Sequence, residues 1–190
     1  MHQITLASAS PRRQQLLDQM GINYRVLSVD IDETPQKEES ARAFVCRMAL
    51  EKARVGYQRQ AEKLPVLGSD TIVVLNEKIL GKPGSRDDGL AMLASLSGHC
   101  HEVMTAVAMV DEARSECRLS RSQVYFRHMT SAEIEAYWNT GEPADKAGAY
   151  GIQGLAAQFI ERLDGSYSGV MGLPLFETSE LLKQFGIELL

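Results

Sequence analysis

The chain predicts an α/β protein built on one sheet of mixed strand direction. Strand-like and helix-like segments alternate through its first half, and strand-like segments cluster after it. Its 190 residues, 44% hydrophobic and 24% charged, suffice for a sizeable core and match the usual size of one domain, here spanning 1–190.

Each element has its own local signal. The apolar run Ile4–Ala7 reads as a buried strand. Ser10 then offers an N-cap and Pro11 suits the first helical position. Leu16, Leu17 and Met20 recur at helical spacing, so a helix is expected over Pro11–Met20. A short strand follows around Tyr24–Val29, and the polar stretch DIDETPQKEES reads as turn. A long helix is expected from Ser40 to Gln60, with Phe44, Val45, Met48, Ala49 and Val55 inward. Val66–Leu67 and Ile72–Leu75 read as strand, Asn76 and Glu77 as a turn, and Ile79–Leu80 as the returning strand. A helix over Asp87–Leu96 ends at Ser97-Gly98, and His101–Val110 with Cys117–Arg127 form an antiparallel pair. Thr130 and Glu133 make a capping box for a helix reaching Thr140, on which Trp138 is a packing residue. After the glycine-studded loop KAGAYGIQG come a strand near Gln158–Leu163 and a closing helix, Leu175–Phe185.

Composition excludes several functions. Twenty basic against 25 acidic residues leave a net charge of −5, which argues against a general nucleic-acid or membrane-surface binder. Phosphates would have to be handled by a local basic site. Cys46, Cys100 and Cys117 lack CxxC spacing, giving no support for zinc or a disulfide framework and fitting a reducing cytosol. No charged n-region, long apolar h-region or membrane-length run is present, so a cytoplasmic protein is expected.

Four places break local rules. In SASPRR, Arg12 and Arg13 stand in the first turn of a helix, where the dipole disfavours cations. A strand, a serine-rich turn and a helix N-terminus offer free N–H groups to a phosphate, and the two arginines add forked donors. The plain alternative is an exposed pair on a surface helix. Asp70 lies among apolar β-branched neighbours and is costly to bury without a partner, whether metal, lysine or catalytic water. It is a simple turn residue if the strand ends at Gly68. Lys52 sits on a helix, where lysines are usually solvated, and Lys82 sits in the constrained turn Gly81–Pro83. In KAGAYGIQG, Gly148, Gly151 and Gly154 would let backbone approach a ligand, and Gln153 carries the donor–acceptor pair that reads a pyrimidine edge. Against this stands an ordinary flexible loop. Glu33, in the acidic cluster with Asp30 and Asp32, could hold Mg²⁺ or simply be solvated.

Together these segments resemble the Maf family of nucleotide pyrophosphatases. SxSPRR, DET, the EKA helix, GxDT, the GKP turn, AGxYxIQG and the late Gly172–Pro174 appear in the family's order across nearly the whole chain. The resemblance implies an elongated mixed sheet flanked by helices, with two lobes around a central cleft, related to the inosine-triphosphate pyrophosphatase fold. It implies hydrolysis of a nucleoside triphosphate to monophosphate and pyrophosphate with a divalent metal, Mg²⁺ or Mn²⁺, and a homodimer. By position, Asp70 matches the proton acceptor, and Ser8, Ser10, Arg12, Arg13, Lys52 and Lys82 match the phosphate-binding set. Glu33 matches an acidic residue that would share the metal with Asp70. Arg12, Thr71 and Gln153 match the positions that separate the substrate subgroups and look like the dTTP/UTP subgroup. Two rivals stay open: a hydrolase cleaning modified nucleotides from the pool, and a nucleotide-binding regulator of cell division or septum formation.

Overall fold

The computed structural model describes residues 3–189. In chain order its first half holds β1 (Ile4–Leu6), α1 (Pro11–Asp18), β2 (Tyr24–Val26), α2 (Ala41–Arg59), β3 (Val66–Leu75), β4 (Lys78–Leu80) and α3 (Arg86–Leu96). The second half holds β5 (Cys100–Val110), β6 (Ser115–Phe126), α4 (Ser131–Trp138), β7 (Ile160–Asp164), α5 (Tyr167–Met171) and α6 (Leu175–Gln184). The strand order is β2-β1-β3-β5-β6-β7, with β4 paired to β3. β1 runs parallel to both β2 and β3, whereas β4 is antiparallel to β3 and β7 to β6. The expected α/β class with a sheet of mixed direction is therefore present. No helix among the described residues is long and apolar enough to cross a membrane.

Several boundaries differ from expectation. α1 stops at Asp18 rather than Met20, because the chain turns at Gly21 with φ +68°. β2 ends at Val26, not Val29. The largest correction concerns β3, which is one unbroken ten-residue strand. Gly68 does not end it, so Asp70 is a mid-strand residue and not a turn residue. The Asn76–Glu77 turn is as expected, both residues adopting positive φ (48° and 66°), as a tight two-residue hairpin demands. α5 was not foreseen, since YSGVM carries too short a pattern to register.

The chain forms two compact units. The first comprises residues up to Asp70, Thr105–Ser120 and the segment from Gly172. Its organising contact is α2 against β3. Ala49, Ala53 and Gly56 fall on one helix face at i, i+4 and i+7 and present almost no side chain. Gly68 completes the fit: a Cβ there would lie 2.7 Å from Ala53 N and collide with the Ala49 carbonyl. At Gly56 a Cβ would meet Val66 Cγ1 at 2.9 Å and Ala7 Cβ at 3.1 Å. At Gly68 helix and strand thus approach backbone to backbone, and at Gly56 the helix backbone seats directly on side chains. The same unit brings Cys46 of α2 and Cys117 of β6 together, a pairing that their sequence spacing conceals. The Cys117 hydrogen bond pulls the Cys46 thiol down to about 7, while Cys117 itself is pushed up.

The second unit comprises Thr71–Met104 and Arg121–Met171. Its core gathers Leu93, Leu96, Val124, Phe126, Tyr137 and Phe159. Trp138 packs as expected, lying against α3 where Gly89 leaves room: a Cβ at Gly89 would overlap the indole ring. The capping box of α4 is formed, with Thr130 N–H donating to Glu133 Oε2 at 2.8 Å and Glu133 N–H donating to Thr130 Oγ1 at 3.3 Å. His101 and Tyr150 stack edge-on with Phe126, and the tyrosine hydroxyl and the imidazole Nε2 share a 2.8 Å hydrogen bond.

Candidate functional site

In the first unit, the α2–β3 contact decides where the charges meet. With Ala53 seated over Gly68, its neighbour Lys52 is carried alongside Asp70, two residues further along β3. Lys52 Nζ lies 2.6 Å from Asp70 Oδ1 and 2.7 Å from Glu33 Oε1. Lys52 and Asp70 side chains are only 12% and 13% exposed, whereas Glu33 is 54% exposed. Both plain alternatives are thereby settled: Lys52 is not a solvated helix lysine, and Asp70 has a partner that offsets its burial.

Arg13 is held by an arrangement that sequence reading missed. Its Nε donates to the Gly172 carbonyl at 2.8 Å and one terminal nitrogen to Ser8 Oγ at 3.3 Å. The buried Ser69 hydroxyl lies 2.9 Å from the same Gly172 carbonyl and 3.0 Å from that of Ala106. Gly172 adopts φ +117°, a conformation that side chains resist. The sequence marks Gly172–Pro174 as a motif but shows no physical reason for it; aiming Arg13 supplies one. Burial lowers the Arg13 pKa from its ordinary value, with the negative charge of Asp70 working against that shift and the nearby Arg12 reinforcing it.

Ser10 departs from expectation. It occupies the N-cap position of α1, yet its side chain makes no capping bond; instead its N–H donates to Ser8 Oγ at 3.2 Å. α1 carries no acidic residue in its first turn, only Arg12 and Arg13. The helix start is therefore positive through both dipole and side chains, a combination suited to an anion.

Could a metal ion be held here? Asp70 and Glu33 both reach the single Lys52 ammonium, so their carboxylates converge. Among the described residues no group of three or more His, Cys, Asp or Glu is placed to hold a metal ion. Two hard oxygen donors without soft ligands suit Mg²⁺ or Mn²⁺, which commonly take their remaining ligands from phosphate and water.

In the second unit, Lys82 is exposed between β4 and α3, and Gln153 is exposed in a turn; Thr71 is half-buried in β3. Gly148 N–H donates to the Gly81 carbonyl at 3.0 Å, tying the glycine loop to the turn that bears Lys82. The glycines themselves call for a correction. What approaches them is the chain's own structure. A Cβ at Gly148 (φ +68°) would sit 3.0 Å from Val73 Cγ2, one at Gly151 would sit 2.9 Å from Lys146 Cε, and one at Gly154 would strike the Glu142 carboxylate. Glu142 and Tyr137 were not singled out from the sequence, because five residues apart matches no helix-face spacing.

Comparison with known proteins agrees with the motif order. The family model described as Maf-like protein matches residues 3–185. A dTTP/UTP pyrophosphatase of Alkalilimnicola ehrlichii is 56% identical over 97% of this chain and 94% of its own length. A dTTP/UTP pyrophosphatase of Saccharophagus degradans is 53% identical over 96% of this chain and 88% of its own length. Among solved structures, the Ham1 protein of Staphylococcus aureus covers 96% of both chains with a TM-score of 0.51 at 13% identity, a likeness of fold alone. With its motifs in order and relatives of this similarity along nearly its full length, the chain belongs to the Maf family.

Proposed function

We propose that this protein is a nucleoside triphosphate pyrophosphatase that hydrolyses dTTP and UTP to the nucleoside monophosphate and pyrophosphate. The observation that carries this reading is Asp70, a carboxylate enclosed in mid-strand, gripped by Lys52 and electrostatically coupled to Arg13. The names of its relatives from A. ehrlichii and S. degradans support the substrate class.

Asp70 accepts the proton of a water whose oxygen bonds to the α-phosphorus. The bond from that phosphorus to the bridging oxygen breaks, and the electron pair leaves with pyrophosphate. Arg12, Arg13, Lys52 and Lys82 offset the triphosphate charge, most of all the charge growing on the leaving group. Ser8, Ser10 and the open first turn of α1 contribute hydrogen bonds to phosphate oxygens. A divalent cation, Mg²⁺ or Mn²⁺, held by Asp70 and Glu33 would supply Lewis-acid polarisation of the phosphates. Gln153 reads the donor–acceptor edge of the pyrimidine, and Arg12 and Thr71 complete the selection. The enzyme acts as a cytoplasmic homodimer on free nucleotides, without nucleic-acid or membrane partners, in keeping with its net charge of −5.

Pyrophosphate release from a nucleotide panel tests the assignment. Asp70→Asn is expected to lower kcat by roughly 10²–10⁴ while its circular dichroism matches the parent. Full turnover by that variant would refute the role of Asp70. A panel on which modified nucleotides far outrun UTP and dTTP would refute the substrate.

A further inference from the structure

The turn that presents Gln153 is held from outside itself. Gln153 is exposed in a turn that is closed locally by the Gly154 N–H donating to the Gly151 carbonyl at 3.1 Å, and the ends of that turn are tied to the rest of the unit. The buried Tyr137 of α4, only 3% exposed, accepts the Gly151 N–H at 3.3 Å and donates its hydroxyl proton to Glu142 Oε1 at 2.8 Å. The second oxygen, Glu142 Oε2, accepts the Leu155 N–H at 2.9 Å. The two pinned amides stand two residues before and two residues after Gln153. Gly154 has no side chain where the Glu142 carboxylate passes.

We propose that Glu142, acting with Tyr137, is a positioning residue for base specificity: it clamps the turn from Gly151 to Leu155 at both ends and so fixes where Gln153 presents its amide. This rests on the reading of Gln153 as the pyrimidine-selecting residue. A carboxylate suits the task because it offers two coplanar acceptors and no donor. Alanine at 142 releases Leu155 and strands the Tyr137 hydroxyl. Glutamine keeps one acceptor for Leu155 and can donate to the tyrosine oxygen, so it retains most of the clamp. A displacement of the Gln153 amide by about an ångström weakens a paired hydrogen-bond readout far more than it weakens phosphate binding.

The readout is the ratio of kcat/KM for UTP over CTP, whose bases differ in donor–acceptor order on the edge that Gln153 reads. Glu142→Ala is expected to lower that ratio at least tenfold, with the UTP loss carried mainly in KM. Tyr137→Phe should lower it at least threefold, and Glu142→Gln should keep it within threefold of the parent. Gln153→Ala alone should collapse the ratio, and adding Glu142→Ala to that variant should change it no further. An unchanged ratio in Glu142→Ala beside a collapsed one in Gln153→Ala overturns the clamp and leaves the base-reading assignment standing. An unchanged ratio in Gln153→Ala overturns the base-reading assignment itself. Should Glu142→Ala fail to fold, Tyr137→Phe and Glu142→Gln decide: a threefold or larger fall in the first with retention in the second supports the clamp, and parallel behaviour of the two overturns it.

Discussion

Acidification should destabilise this protein through one histidine. His101 is 2% exposed, and its Nδ1 is buried with no hydrogen-bond partner among the described residues. A neutral imidazole tolerates that, since its one shared hydrogen bond with Tyr150 suffices. An imidazolium does not, and burial pulls the pKa from 6.5 down to about 4. Between those values the unfolded chain carries the proton and the folded one does not, so stability falls as the pH falls. The loss begins near pH 6.5 and is complete near pH 4, and lowering the pKa across that interval corresponds to about 3 kcal/mol. Urea unfolding of the parent and of His101→Gln at intervals from pH 7.5 to 4 isolates this contribution, because carboxylates common to both titrate in both. The parent should lose about 3 kcal/mol more than the variant over that range. Curves that stay parallel within about 0.5 kcal/mol would refute the argument.

Two further perturbations probe the first unit. Gly68→Ala places a methyl between β3 and the Ala49 carbonyl of α2; we expect a loss of about 3 kcal/mol in denaturant unfolding and, through displacement of Lys52 from Asp70, roughly a hundredfold fall in kcat/KM for UTP. Alkylation of Cys46 by iodoacetamide, followed by peptide mass spectrometry, should reach half its maximal rate near pH 7, and Cys117→Ala should move that midpoint up toward the ordinary value of 9.0. A midpoint indifferent to Cys117 would contradict the thiol pairing.

The element order was legible because apolar periodicity and caps are local. The Thr130 box, the Asn76–Glu77 turn and, on the inward face of α2, Phe44, Val45, Met48 and Ala49 are visible within a few residues, whereas Val55 is only half-buried and the small Ala53 and Gly56 take the inward positions. β3 was misread in the middle because Gly-Ser-Asp carries every sign of a break. What offsets the burial of Asp70 within it, an ammonium arriving from a helix 18 residues earlier, leaves no mark on spacing. The candidate site divides the same way. Individual residues such as Arg13 and Asp70 stood out as local misfits. Their supports, the Gly172 carbonyl 159 positions away from Arg13 and the Ser69 hydroxyl, did not, since a small buried residue looks alike whether it fills space or aims a neighbour. The loop glycines show the converse error. Their lack of side chains is visible in the sequence, but neither of the two readings it offers, ligand approach or flexible loop, names the chain's own Val73, Lys146 and Glu142 as the occupants of the space.

The close approach of α2 to β3 also predicts where the chain tolerates change least. Ala49, Ala53, Gly56 and Gly68 look replaceable by composition, yet an added methyl at Gly68 would meet helix backbone and one at Gly56 would crowd Val66 and Ala7. In a saturation mutagenesis screen for activity, these unremarkable positions should be depleted of variants as severely as the charged residues they hold in place.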